Sequence, residues 1–179
     1  MARTVVSKSG MRGAREVVLL HLSDLHLGSE ADERPWESHM PWGSDCPVPP
    51  QKALSYIVKK VVPHYPSAHV VVTGDVTDTG TEGAFWNAGA LLDPIGRRRL
   101  TVVPGNHDDG WHTAAWPGTA GMRPMLSAFG GSRPAFPRLK LIRHVALIGL
   151  DSTHRRLSAT GSIGREQLAR LKSMLGSPK

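Results

Sequence analysis

Val102-Val103-Pro104-Gly105-Asn106-His107-Asp108 is a short apolar run that stops at a Pro-Gly turn and delivers Asn, His and Asp just beyond it. Two earlier stretches have the same form. Residues 17–22 run into Ser23-Asp24-Leu25-His26, and residues 69–72 run into Thr73-Gly74-Asp75-Val76-Thr77-Asp78. Unbroken β-branched and leucine-rich runs of this length are the pattern of strands covered on both faces. Each one ends in groups able to bind a cation or carry a proton.

Helical patterns lie between these runs. Ala53, Leu54, Ile57, Val58 and Val61 recur at spacings of three and four, which predicts a helix over 51–62 that Pro63 stops. A second helix is expected over 81–92, capped by Thr79 or Thr81 and ended by Asp93-Pro94-Ile95-Gly96. Residues 145–150 predict a further strand, which runs into the polar cluster Asp151-Ser152-Thr153-His154. Residues 164–175 predict a last helix with Leu168, Leu171 and Leu175 on one stripe. This alternation indicates an α/β fold of βαβ units, in which ligands bind beyond the carboxyl ends of the strands.

Two stretches resist this pattern. Residues 29–50 are rich in Pro, Trp, Ser and acids and read as a long loop starting at the rim of the candidate site. Trp36 or Trp42 in it could stack on a substrate ring or simply anchor the loop, and His39 with Cys46 makes a poor metal pair. Residues 111–137 are rich in Gly, Pro and Trp, with a weak helical signal only over 122–129. Residues 1–15 are expected to be a flexible basic tail, leaving 16–179 as one domain.

With 179 residues, 40% of them apolar and 21% charged, the chain can bury one sizeable core. No apolar run approaches the roughly 20 residues that span a bilayer. A lone cysteine, Cys46, forms no intrachain disulfide, which fits a reducing compartment and an expected cytoplasmic location. The formal charge of +7 would speed association with phosphate esters or nucleic acid. Arg97-Arg98-Arg99 is expected to be a solvated turn before the third strand, and His21 a hydrogen-bonded imidazole inside the first.

The residue types at the strand ends suit metal-assisted hydrolysis. Asp24 and His26 are separated by one residue, so in an extended segment both face the same way. A carboxylate beside an imidazole suits Mn²⁺, Fe or Zn²⁺ better than Ca²⁺. Asp75 can bridge two cations, and Asn106 offers a neutral oxygen to the second. His107 would then point away from the metals and serve as a proton donor, oriented by Asp78 through its other ring nitrogen.

Asp24-x-His26, then Gly74-Asp75-x-x-Asp78, then Gly105-Asn106-His107-Asp108, in that order, resembles the calcineurin-like metallophosphoesterases. Residues 23–28, with Leu150-Asp151-Ser152-Thr153 and the helix after Gly164, look most like the branch that contains cyclic-nucleotide phosphodiesterases. The resemblance implies packed mixed β-sheets flanked by helices, and a binuclear centre of Mn, Fe or Zn. It assigns Asp24 and His26 to one ion, Asp75 to both and Asn106 to the other, with His107 and Asp78 assisting catalysis. The implied reaction is hydrolysis of a phosphomonoester or phosphodiester, nucleotides included, by a metal-activated water.

The family's later ligands, a strand-ending His and a Gly-His-x-His turn, have no counterpart before Lys179. The chain is therefore expected to be the C-terminally incomplete first two-thirds of such an enzyme, with a thin donor set for the second ion. His112 and His154 are the only other histidines expected on the same rim. Two alternative readings remain at this level: a silent or partner-dependent fragment, and a nuclease-type relative that binds nucleic acid through its basic surface.

Overall fold

The computed structural model describes residues 3–6, 16–28, 48–109, 129, 136–153 and 161–176. Its main sheet has four strands in the order β1 (Arg3–Val6), β2 (Val18–Leu22), β3 (His69–Thr73), β4 (Leu100–Val103). Strands β2, β3 and β4 are parallel, with Leu22, Val72 and Val102 in register, so the three expected strands end along one rim. Strand β1 runs antiparallel to β2, pairing Arg3 with His21 and Val6 with Val18. The expected flexible tail thus contributes an edge strand. Its Thr4-Val5-Val6 is β-prone, and the free edge of β2 gives it a partner.

One face of this sheet is the core. Leu20, Leu22, Val70, Val72 and Val102 are buried in one cluster with Leu54 of α1 (Pro50–Tyr56) and Phe85, Ala88 and Leu92 of α2 (Glu82–Leu92). Each fully buried side chain of this kind contributes about 1.5–3 kcal/mol. Thr81 caps α2 by accepting from the Ala84 N–H at 3.3 Å. The α1 segment does not stay regular as far as residue 62. It widens to a π-helical turn at Ile57–Val61, then tightens to a 3₁₀ turn at Val62–His64 around Pro63, which has no N–H to continue the ladder.

The other face is more polar. His21 bonds Thr73 Oγ1 at 2.6 Å, as expected of a hydrogen-bonded imidazole, and His69 bonds Thr101 Oγ1 at 2.8 Å. Arg99 is more than a solvated residue, because its guanidinium donates to the Ala68 and Tyr65 carbonyls at 3.0 and 2.9 Å and ties the turn before β4 to the start of β3.

A second, antiparallel sheet is the hairpin of β5 (Arg138–Ile142) and β6 (Val145–Gly149). Lys140 fastens it to the main sheet by donating to the Arg97 and Leu100 carbonyls, both at 3.3 Å. Beyond β6, the Asp151 carboxylate accepts from the Thr153 N–H and hydroxyl, at 2.9 and 2.6 Å. Gln167 of α3 (Arg165–Gly176) then clasps the Asp151 backbone in both directions, at 2.9 and 2.7 Å. The polar cluster expected after β6 is, in its described part, a turn that docks this helix. Among the described residues a mixed four-stranded sheet, an antiparallel hairpin and three helices result, an α/β arrangement in line with the expected architecture.

Candidate functional site

The loops leaving β2 and β3 are sewn together by backbone hydrogen bonds before any side chain is considered. Asp24 N–H donates to Gly74 O at 3.2 Å, His26 N–H to Asp75 O at 2.9 Å, and Leu27 N–H to Val76 O at 3.0 Å; Asp78 N–H returns to Leu27 O at 3.1 Å. The β2–β3 ladder thus resumes beyond the strands as a parallel bridge between Leu27 and Thr77. Leu27 and Thr77 are fully buried there, which fixes the height of the residues on either side.

This stitching holds three site residues in a conformation the sequence does not announce. Asp24, His26 and Asp75 have φ of 55°, 45° and 48°, in the left-handed region rather than the extended one expected for the Asp24-x-His26 segment. Such a backbone costs a non-glycine residue about 1 kcal/mol or more. It is sustained by the bridging hydrogen bonds on both sides, and it turns the three side chains toward one another. Asp24, His26 and Asp75 offer ligand atoms that all lie within 4.8 Å of one another.

Glycines let the third loop come close. Gly74 has φ of 92°, and a Cβ on it would lie 2.9 Å from the Gly105 Cα. A Cβ on Gly105 would overlap the Asp75 backbone nitrogen and carboxylate. The contact so permitted is functional in placement, because Asp75 Oδ1 accepts the His107 N–H at 2.9 Å. Asn106, half-buried between Gly105 and His107, stands where β4 meets this carboxylate.

Asp108 was the residue that sequence reasoning passed over. It is 1% exposed and gathers four donors: Val76 N–H at 3.2 Å, Thr77 N–H at 2.8 Å, Thr77 Oγ1 at 3.0 Å and Gly105 N–H at 2.9 Å. Burial pushes its carboxyl pKa up, and these donors oppose that rise. The side chain straps the loop after β4 to the loop after β3. The signal that could have found it was an acid one step beyond His107 in a segment otherwise read as cation-binding.

His26, Asp78 and His107 form a second tight group, with ligand atoms again within 4.8 Å of one another. The two imidazoles meet edge to face with centroids 4.5 Å apart. His107 Nδ1 lies 2.9 Å from the Asp78 carbonyl oxygen and 3.5 Å from its carboxylate Oδ1. A carbonyl only accepts, so this nitrogen carries a hydrogen and has no lone pair to give a metal. His26 Nδ1 lies 3.3 Å from Asp78 Oδ1, while its Nε2 lies 4.0 Å from Asp75 Oδ2. A cation with bonds of about 2.0–2.2 Å places its donors at most about 4.3 Å apart. The His26 Nε2–Asp75 Oδ2 pair meets that limit, with Asp24 in the same group, while the His26–Asp78–His107 group is joined by hydrogen bonds.

Burial lowers the His107 pKa, but the hydrogen bonds to the Asp78 side chain and backbone, with the charges of Asp75 and Asp78, outweigh it and raise the value above the ordinary 6.5. His112, His154, Trp36, Trp42, His39 and Cys46 lie outside the described residues. Among the described helices none is long and apolar enough to cross a membrane.

A search of curated proteins finds no match. A family model described as calcineurin-like phosphoesterase matches residues 17–170, from the start of β2 into α3. That span takes in all three strand-end motifs, the three parallel strands and the hairpin, so the chain belongs to the calcineurin-like phosphoesterase family, whose members hydrolyse phosphoesters with the help of metal ions.

Proposed function

We propose that this chain hydrolyses phosphodiesters at a binuclear site. Asp24, His26 and Asp75 hold one divalent cation, of Mn, Fe or Zn, and Asp75 with Asn106 contributes to the second. The observation that carries the proposal is the convergence of the Asp24, His26 and Asp75 ligand atoms within 4.8 Å of one another. When bound, such a cation draws charge from the phosphoryl oxygens and makes a water acidic enough to attack phosphorus.

The chain's own residues do the rest. His107 is held through Nδ1 by Asp78, so the proton it delivers to the departing oxygen sits on Nε2. Its raised pKa favours the charged ring, which also steadies a developing negative charge. Gly105 keeps the His107 N–H against Asp75, which locks donor and metal ligand in one frame. The likeness of residues 23–28 and 150–153 to the cyclic-nucleotide branch supports diesters over monoesters, and a nucleotide among them. The lone cysteine supports a cytoplasmic setting.

The test is a comparison of an aryl phosphodiester, an aryl phosphomonoester and a single-stranded polynucleotide, each with Mn²⁺. Fastest turnover of the small diester is expected. Preferred cleavage of the polynucleotide would replace this reading with a nuclease one, and no turnover of any of them would leave a silent relative.

A further inference from the structure

We infer that Asp78 is a positioning residue for the metal ligand His26, and not for His107 alone. This rests on the reading above of His26 as a ligand. The Asp78 side chain and main chain reach both rings, and its Oδ1 also lies 3.5 Å from His107 Nδ1. Its carbonyl takes the Nδ1–H of His107 at 2.9 Å, while its carboxylate Oδ1 lies 3.3 Å from His26 Nδ1. The carboxylate is an acceptor, so His26 Nδ1 carries the hydrogen. A neutral imidazole with Nδ1–H has its lone pair on Nε2, the nitrogen that faces Asp75 Oδ2 at 4.0 Å.

A neutral histidine otherwise divides between two tautomers and swings about its side-chain torsions. In the wrong tautomer Nε2 carries a hydrogen and repels a cation. Here Asp78 holds the ring at Nδ1, and the His107 ring only flanks it, edge to face at 4.5 Å. The left-handed backbone at His26, φ 45°, aims the ring into this slot. Asp78 is itself anchored through its N–H to Leu27 O at 3.1 Å, one residue from His26, so acceptor and ring move together. One carboxylate thereby couples the loop after β3 to the aim of a ligand on the loop after β2. Partners of this kind, acting behind a ligand, change metal affinity about 10–100-fold.

The experiment is a Mn²⁺ titration by calorimetry on the full chain, wild type against Asp78→Ala, Asp78→Asn and His107→Ala, with ¹⁵N shifts of the His26 ring recorded without metal at mildly alkaline pH. Asp78→Ala should weaken Mn²⁺ binding about 10–100-fold. Asp78→Asn loses the charge but keeps an oxygen that accepts from Nδ1–H, so it should stay within a few-fold of wild type, as should His107→Ala. The wild-type His26 ring should show hydrogen on Nδ1. Equal weakening in Asp78→Asn and Asp78→Ala would make charge the cause and overturn the inference, as would an Nε2–H tautomer in wild type. Should Asp78→Ala not fold, the Asp78→Asn titration and the wild-type spectrum still decide. Wild type that binds no Mn²⁺ would sink the metal reading itself, whereas the ring spectrum tests the Asp78–His26 bond separately.

Discussion

The two ends of the parallel strands carry opposite electrostatics, and two histidines record the difference. At the C-terminal rim, His107 sits among Asp75 and Asp78 and its pKa is raised. At the other end, His69, first residue of β3, is lowered to about 4 by burial, then by the charges of Lys140 and Arg99. The same side chain has its charged form favoured at one end and its neutral form at the other. A net charge of +7 therefore says little about the site. The described cations Arg97–Arg99 and Lys140 gather where strands begin, and the acids Asp24, Asp75 and Asp78 where they end. An acidic rim of this kind suits cations, and Arg97–Arg99 and Lys140 lie away from it, at the other end.

The comparison breaks most visibly if His107 is removed. His107→Ala should lower turnover of the small diester by roughly 10²–10⁴-fold, the usual worth of a positioned proton donor, with Mn²⁺ binding kept. Steady-state kinetics at saturating Mn²⁺ reads this. A loss below tenfold would mean that the ring is part of the scaffold rather than the chemistry.

The next effect concerns what holds the acidic end together. Asp108→Ala leaves the buried N–H groups of Val76 and Thr77, and the part-buried one of Gly105, without their acceptor. An unmet buried donor costs about 1–3 kcal/mol, so a loss of about 3–4 kcal/mol in urea unfolding is expected. A loss under 1 kcal/mol would show that the two loops are held without Asp108, by the His107 N–H to Asp75 bond and packing.

The smallest effect is at the basic end. His69 has a folded pKa near 4 against an unfolded 6.5, so between these values the unfolded chain binds more protons. Its contribution to stability is present in full above pH 6.5 and is lost as pH falls toward 4, by no more than about 3 kcal/mol. Unfolding free energy measured across that window should slope less in His69→Gln than in wild type. An unchanged slope would remove His69 as the cause.

Much of this was legible from sequence, and for a physical reason. Strands β2, β3 and β4 are buried on the helix side and half-covered on the other, so they are written as unbroken apolar runs, and Gly74, Asp75, Gly105 and His107 mark their ends. Strand β1 was hidden because its existence depends on the open edge of β2, a distant partner. Strand β5 carries the alternation Arg138-Leu139-Lys140-Leu141, but its hairpin turns at Arg143, φ 55°, without the Gly or Asn that signals such a turn. The left-handed backbone at Asp24, His26 and Asp75 was likewise illegible, since it comes from cross-loop hydrogen bonds and not from the residues themselves. The site residues could be read from their chemistry; how their backbone aims them could not.

The central claim is that the acidic rim binds divalent cations and uses them on phosphoesters. It is tested most directly by hydrolysis of bis(p-nitrophenyl) phosphate as a function of added Mn²⁺, in wild type and in Asp75→Ala. Turnover that rises with Mn²⁺ and saturates in wild type, and that vanishes in a folded Asp75→Ala, is the predicted result. Turnover independent of metal, or undiminished in Asp75→Ala, would contradict it.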